Sequence, residues 1–456
     1  MNISSFRIKR RKKSEEDDDE KKEDPSYQQL LEIVAPINKF KSKPALGVTT
    51  FSRQMWCEKS LEICLEKNIK ITSKAIEEGI KHHEELELED HQVLSVIVEN
   101  EYEKISIEML SILNLLDGLI ERGYVRELPI MGFYKGIMLR GIIDSLQLKP
   151  KLNEIGETIN AKYTPKNINK FIILITDTKT RRNTTLPSNA QQKTTVLQLG
   201  LYRKILAEMI NSGKTWKSCH SNLTDSTAIK KHLSSFSKMD LLSCCSGCRF
   251  LNNIFEFHNL DPSISFSEFQ ELESERRKQC SKEQKEIKDV ESEAVVHYEN
   301  ENKTQSVEDS DTESEVDTDG KSVLSEFENA LEIGFNLLLS FSKLPDIQPE
   351  MKVEYDCQGK TFLTKWYRSP KQTIDLELDY LLGWWLGSRE TEFVRISEAW
   401  KCKFCNVIEY CQVCPLSLEE REKCIEQIHQ SELESLLLKD LEESSSKELI
   451  SELKCS

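Results

Sequence analysis

The chain has 456 residues, 31% charged, 38% hydrophobic and 7% aromatic. That length suits two or three domains, and the charge exceeds what a compact globule needs, so part of the chain is expected to lie outside any packed core. Its longest apolar stretch, Phe171 to Ile175, falls far short of the roughly 18–20 residues that cross a bilayer, and the N-terminus lacks the apolar core of a secretory signal. A membrane-spanning protein is therefore not expected, and the 14 cysteines are expected as reduced thiols, at metals or in cores.

The formal net charge of −16 argues at first against a nucleic-acid partner, but it is unevenly spread. Residues 15–24 carry eight acids against two bases, 286–319 thirteen against two, and 418–456 eleven against five. Residues 1–13 carry six bases and no acid, and 160–232 hold thirteen bases against three acids. That last stretch has the charge expected where a phosphate backbone is held, and equally that of a solvated basic face.

In chain order, residues 1–25 predict a disordered leader. Ile3, Phe6 and Ile8 among its bases fit a short mitochondrial presequence or a nuclear import patch. A core with a helical N-terminal part is expected over 26–280. It starts with a short helix or turn from Gln28 to Asn38, an entry loop capped by Thr50 or Ser52 and a helix within Gly47 to Lys67, and a long helical region from Thr72 to Gly118. Strands are predicted over Val125–Ile130, Ile137–Leu148 and Phe171–Thr176, with turns at Gly132, Gly136 and Lys149-Pro150, then a helix from Asn189 to Ser212. Residues 281–322, with Ser310, Thr312 and Ser314 among acids, predict a disordered insertion suited to phosphorylation. Structure is expected to resume over 323–415, including a helix from Asp375 to Trp385, and to end in an acidic helical tail over 416–456. Strands followed by a helix imply an α/β core.

Two strand ends carry the chemistry. Gly141-Ile142-Ile143-Asp144 ends one strand in an acid, and Ile172 to Lys179 ends another in Asp177-Thr178-Lys179. Strand residues at i and i+2 point the same way, so Asp177 and Lys179 share a face, and pairing of the two strands would join Asp144 to Asp177. Clustered carboxylates suit Mg²⁺, with Lys179 placed to orient or help deprotonate a water. Asp-x-Lys alone also fits an ordinary solvated strand end. Glu127 and His83 are further candidate ligands, Gln198 and Tyr202 share a helix face at i, i+4, and Arg181 and Arg182 could grip phosphate. Near the C-terminus, Cys402, Cys405, Cys411 and Cys414 are spaced for four-thiolate zinc or for an iron–sulfur cluster. Cys244, Cys245 and Cys248 form a smaller group with no evident fourth ligand. His220 has only Cys219 beside it, and nothing near His232 suggests a site.

Taken together, Gly79-x-x-x-His83, Glu127-Leu128-Pro129-Ile130-x-Gly132, Gly141 to Asp144, Asp177 to Arg182, Leu186-Pro187-x-x-Ala190-Gln191 and Gln198-x-x-x-Tyr202 resemble the exonuclease V family. These are eukaryotic single-strand DNA exonucleases of the RecB-like branch of PD-(D/E)xK nucleases. The resemblance covers roughly 47–212 and 323–415, and departs from many members in having Asp rather than Glu at 177.

The resemblance implies a PD-(D/E)xK core, a mixed sheet flanked by helices, and a C-terminal iron–sulfur staple. It implies a [4Fe-4S] cluster on Cys57, Cys402, Cys405 and Cys411, with Cys57 drawn from Trp56-Cys57-Glu58 and Cys414 spare. The expected activity is Mg²⁺-dependent hydrolysis of single-stranded DNA from a free end, leaning 5′ to 3′, in maintenance or repair of the mitochondrial genome. Asp144, Asp177 and His83 would hold metal, Glu127 would support them, Lys179 would position the nucleophile, and Gln198 and Tyr202 would orient the phosphate. A monomer is expected, with a single-strand-binding protein as a partner. Alternatives are nuclear residence, a non-catalytic DNA-binding protein, and a zinc-dependent adaptor.

Overall fold

The structure, a computed structural model, describes residues 4–9, 35–40, 45–71, 74–98, 100–152, 162–233, 242, 245–258, 260 and 319–430. The leader beyond residue 9, the insertion up to residue 318, the tail beyond 430 and Cys244 lie outside them. The chain runs β1 (Ser4–Lys9), α1 (Pro36–Lys39), β2 (Leu46–Gly47), α2 (Val48–Trp56), α3 (Glu58–Glu66), α4 (Lys74–Asp90), β3 (Gln92–Ile97), α5 (Glu101–Arg122), β4 (Tyr124–Tyr134), β5 (Ile137–Pro150) and β6 (Phe171–Arg181). It continues α6 (Asn189–Cys219), α7 (Ser226–Leu233), α8 (Ser246–Phe257), α9 (Asp319–Lys343), β7 (Glu350–Cys357), β8 (Lys360–Arg368) and α10 (Lys371–Trp385), then 3₁₀ turns over Ile396–Phe404 and Ile408–Tyr410.

Six strands form a mixed sheet in the order β2-β5-β6-β7-β8, with β4 also on β5. The pairs β2–β5 and β6–β7 are parallel and the others antiparallel. Gly132, expected at a turn, lies inside β4. The chain turns at Lys135 and Gly136, both at positive φ (51° and 79°), the pair that a two-residue hairpin loop needs to match strand twist. Phe171, Ile173, Leu174 and Ile175 of β6 are all buried, a continuous apolar run that fits a strand covered on both faces. Because β7 and β8 come from beyond the acidic insertion, the two stretches it separates share one sheet.

Helix α6 opens on a capping box in which Ser188 and Gln191 satisfy each other's backbone N–H. It packs on β4 and on α9, whose buried Phe335, Leu338 and Phe341 each contribute about 1.5–3 kcal/mol. At that crossing a Cβ on Gly213 would lie 2.5 Å from Phe341 Cβ, so only glycine fits.

The long helix expected over 72–118 divides into α4, β3 and α5. Val93 to Ile97 is rich in β-branched residues and pairs in parallel with β1. Asn100 Oδ1 then accepts from Glu103 N at 2.8 Å and caps a new helix. The leader expected to be disordered thus contributes a strand. Arg7 anchors it to Glu84 and Glu87 at 3.1 and 2.6 Å, and buried His91 bonds Ser5 at 3.0 Å and Asp90 at 3.3 Å. The helix within Gly47–Lys67 is likewise two helices broken at Cys57, and Gly47, not Thr50 or Ser52, stands at the first N-cap. Among the described residues no helix is long and apolar enough to cross a membrane.

Candidate active site and thiolate cluster

Strand pairing brings the sequence-predicted acids together. Antiparallel β5 and β6 place Ser145 opposite Thr176, and Thr178 N donates to Asp144 Oδ2 at 2.7 Å. This bond ties the two acid-bearing strand segments at the point of use. In the β4–β5 ladder Arg126 faces Ser145 and Leu128 faces Ile143, so Glu127 falls opposite Asp144, where the register skips a pair. Glu127 adopts φ +50°, a left-handed backbone that costs a non-glycine residue about 1–3 kcal/mol. Its Oε1 accepts from His83 Nδ1 of α4 at 2.9 Å, and His83 Nε2 lies 3.9 Å from Asp144 Oδ2.

Lys179 Nζ donates to Asp177 Oδ1 at 3.0 Å and to Gln198 Oε1 at 3.1 Å. Gln198 Nε2 lies 3.3 Å from Asp177 Oδ1 and 2.9 Å from Tyr202 Oη. Tyr202 can stand there because residue 141 is glycine, where a Cβ would come within 2.8 Å of its ring. His83, Glu127, Asp144, Lys179, Gln198 and Tyr202 line one open cavity.

The electrostatics are those of two buried acids held beside an ammonium. Asp177 is 1% exposed and Asp144 8%. Burial pushes the Asp177 carboxyl up to about 6 against the pull of Lys179, with Asp144 adding to the rise. Burial likewise raises Asp144, partly offset by Lys179 and His83. For Lys179, burial favours loss of the proton, but Asp177 and Asp144 outweigh it and hold the ammonium above its usual range. The bond to Glu127, against the opposing effect of burial, brings His83 up to about 8. Burial, then the charges of Asp144 and Asp177, keeps the Tyr202 phenol protonated.

The residues fit a divalent cation. One ligand atom each from His83, Glu127 and Asp144 lies within 4.8 Å of the others. Asp177 Oδ2 is buried with no hydrogen bond; Lys179 Nζ is 3.0 Å away, but only its bond to Oδ1 is aligned. Two buried carboxylates with an oxygen to spare are costly unless neutralised.

The two arginines after the lysine stand apart from this group. Arg181 bonds Thr185 O and Gln191 Oε1, each at 3.1 Å, and lies over the Tyr355 ring, so it braces the loop into α6. Arg182 is exposed, 3.6 Å from Glu78.

The second group lies apart from the carboxylates, in another pocket. Cys57, Cys402, Cys405, Cys411 and Cys414 line one pocket between the α2–α3 elbow and the 3₁₀ turns. Cys57 Sγ caps α3 through Ser60 N at 3.4 Å, and buried Lys401 bonds Trp56 O at 3.3 Å. Burial, then the neighbouring Cys405 and Cys411, pushes the Cys57 thiol up to about 11. Burial and Cys414 push Cys402 up to about 12. Such thiols stay protonated until a metal takes the proton's place.

Beside Cys57, buried Glu58 accepts from Arg389 Nη1 and Nη2 and from Gln54 Nε2, all at 2.6 Å, and from Glu392 N at 2.7 Å. Sequence reading missed this hub, because Glu58 and Arg389 lie far apart in the chain and neither belongs to a periodic pattern.

Comparison with known proteins identifies the family. Residues 35–413 match the family model described as exonuclease V, a 5′ deoxyribonuclease. The chain is also similar to exonuclease V of Danio rerio, 25% identical over 385 residues that cover 83% of this chain and 72% of that protein.

Proposed function

Because the chain belongs to the exonuclease V family and is thus a DNA-hydrolysing exonuclease, we propose that it digests single-stranded DNA from the 5′ end with a divalent cation, Mg²⁺ foremost, in a PD-(D/E)xK core. One observation carries this reading: His83, Glu127 and Asp144 bring a ligand atom each within 4.8 Å of one another, and on the neighbouring strand Asp177 keeps a buried carboxylate oxygen that lacks a hydrogen bond, with the Lys179 ammonium beside it.

Asp144, Asp177 and His83 would hold the cation, and Glu127 orients His83. When bound, the cation supplies Lewis-acid polarisation of the scissile phosphate and makes a water more acidic. Lys179, kept cationic by the two acids and aimed by Gln198, holds the attacking water and the developing phosphate charge. Tyr202, kept neutral, has a proton to donate to a phosphate oxygen. Arg182, exposed beside Glu78 just after β6, is a contact for the strand, whereas Arg181 shapes the loop into α6. The test is digestion of 5′- and 3′-end-labelled single strands with and without Mg²⁺. Release from the 5′ label that is lost in Asp144→Ala and Lys179→Ala supports the reading; unchanged cleavage in both variants refutes the site.

The reading includes a [4Fe-4S] cluster on Cys57, Cys402, Cys405 and Cys411. Cys57 lines the same pocket as the four C-terminal thiols, and it is the distant thiol that the cluster needs and four-thiolate zinc does not. Iron and visible colour lost in Cys57→Ser support it, whereas zinc in a colourless protein points to the four C-terminal thiols. The protein is proposed to act as a monomer, with a single-strand-binding protein, in maintenance of mitochondrial DNA, the compartment that the resemblance to fungal-type members of the family favours over the nucleus. Imaging of the tagged full chain tests that placement, and nuclear signal overturns it.

A further inference from the structure

A second set of thiols lies at the far end of α6 from the carboxylates. His220, at the C-cap of α6, and Cys245 and Cys248, at the start of α8, each offer a ligand atom within 4.8 Å of the others. The two sulfurs are 3.6 Å apart, the edge of a tetrahedron of thiolates around zinc. Cys248 N lies 3.5 Å from Cys245 Sγ, so a backbone N–H supports one thiolate.

His220 Nδ1 bonds Trp216 O at 3.1 Å, and its ring stacks on Trp216 with centroids 5.2 Å apart. A backbone carbonyl on one ring nitrogen is the usual way a metal-ligating histidine is fixed, with the other nitrogen turned to the metal. Cys219, the residue before His220, is in hydrogen-bond contact with Cys245. The approach itself is sterically prepared: residue 247, between the two cysteines, is glycine, and a Cβ there would lie 2.4 Å from Ser212 O and 2.6 Å from Trp216 Cβ. Each of these features stands on α6 or α8, outside the carboxylate and C-terminal thiol groups.

We propose that Cys219, His220 Nε2, Cys245 and Cys248 bind one structural zinc ion that ties the end of α6 to the start of α8. Three thiolates and an imidazole close a four-coordinate site with no open position, which makes the role architectural rather than catalytic. The two cysteines of that sequence group that are described, Cys245 and Cys248, gain two donors here, because α6 ends where α8 begins in space.

The test is elemental analysis and zinc K-edge X-ray absorption of the full-length protein purified anaerobically. One zinc per chain with a shell of three sulfurs and one nitrogen is expected. The double substitution Cys245→Ser, Cys248→Ser should lose the zinc and keep the iron. A four-sulfur shell, no zinc, zinc retained in the double variant, or a Cys245–Cys248 disulfide in peptide mass mapping would each overturn the proposal. The absorption measurement needs no variant, so a misfolded mutant does not block the test.

Discussion

Asp144 and Asp177 stand on neighbouring strands of a six-stranded sheet, where the Ser145–Thr176 pair, the pairing of Asp177 with Val353 and the bond from Thr178 N to Asp144 hold the two acid-bearing segments in place. Among the described residues, Cys402, Cys405 and Cys411 stand on or next to short 3₁₀ turns that rest on two small apolar groups, Val394, Cys402, Ile408 and Cys424, and Val407 with Ile63 and Cys64. The first region has its geometry before any cofactor arrives, at the cost of buried like charges. The second has too little apolar burial to order itself, and is expected to draw its stability from whatever its thiols bind.

The sharpest way to break this contrast is to remove chemistry from the rigid region. Lys179→Ala should lower DNA hydrolysis about 10²–10⁴-fold, and Asp177→Asn comparably, while melting temperature stays level or rises in Asp177→Asn as carboxylate repulsion is relieved. A large fall in melting temperature would show that the acids are structural. In the other region Cys57→Ser should act on order first. Amide exchange over 396–411 should speed up tenfold or more, about 1.4 kcal/mol, while β5 and β6 keep their protection; uniform acceleration would mean that the regions unfold together.

A smaller effect comes from His91. Burial opposes its charge, but bonds to Asp90 and Glu87 raise it to about 9 from 6.5. A raised folded-state value stabilises fully below the unfolded value and is lost as pH climbs through the folded one. His91→Ala should therefore cost about 1–2 kcal/mol at pH 6 and progressively less as pH climbs from about 6.5 to 9, read from urea midpoints; a pH-independent cost would deny the ion pairs their role. Smallest is Glu127→Gly, which should gain up to about 1 kcal/mol by relaxing the left-handed backbone yet slow cleavage by freeing His83. A lower denaturation midpoint would mean that the contact with His83 outweighs the backbone cost.

Much of the carboxylate site could be read from local periodicity. Alternation along a strand put Asp177 and Lys179 on one face, and i, i+4 spacing put Gln198 and Tyr202 on another, and these are the side chains that meet. What stayed hidden depends on which distant segments pack together. No local pattern announces that β7 runs parallel to β6, that Arg389 reaches Glu58, or that His220 sits beside Cys245. The break of the first helices at Cys57 and the strand within 72–118 were missed for a related reason: pairing with β1 overrode the helical reading of that stretch.

The buried pair of Glu58 and Arg389 also sets an order of events during translation. The carboxylate leaves the ribosome 331 residues ahead of its guanidinium, a delay of about 15–65 s at the usual elongation rate. Burying it alone would cost several kcal/mol, so the α2–α3 elbow must stay hydrated for that time, with Phe51 and Leu61, fully covered in the finished fold, open to chaperones. On this account the N-terminal helices are made early and docked late, and a chain truncated before residue 389 should be held by chaperones rather than released.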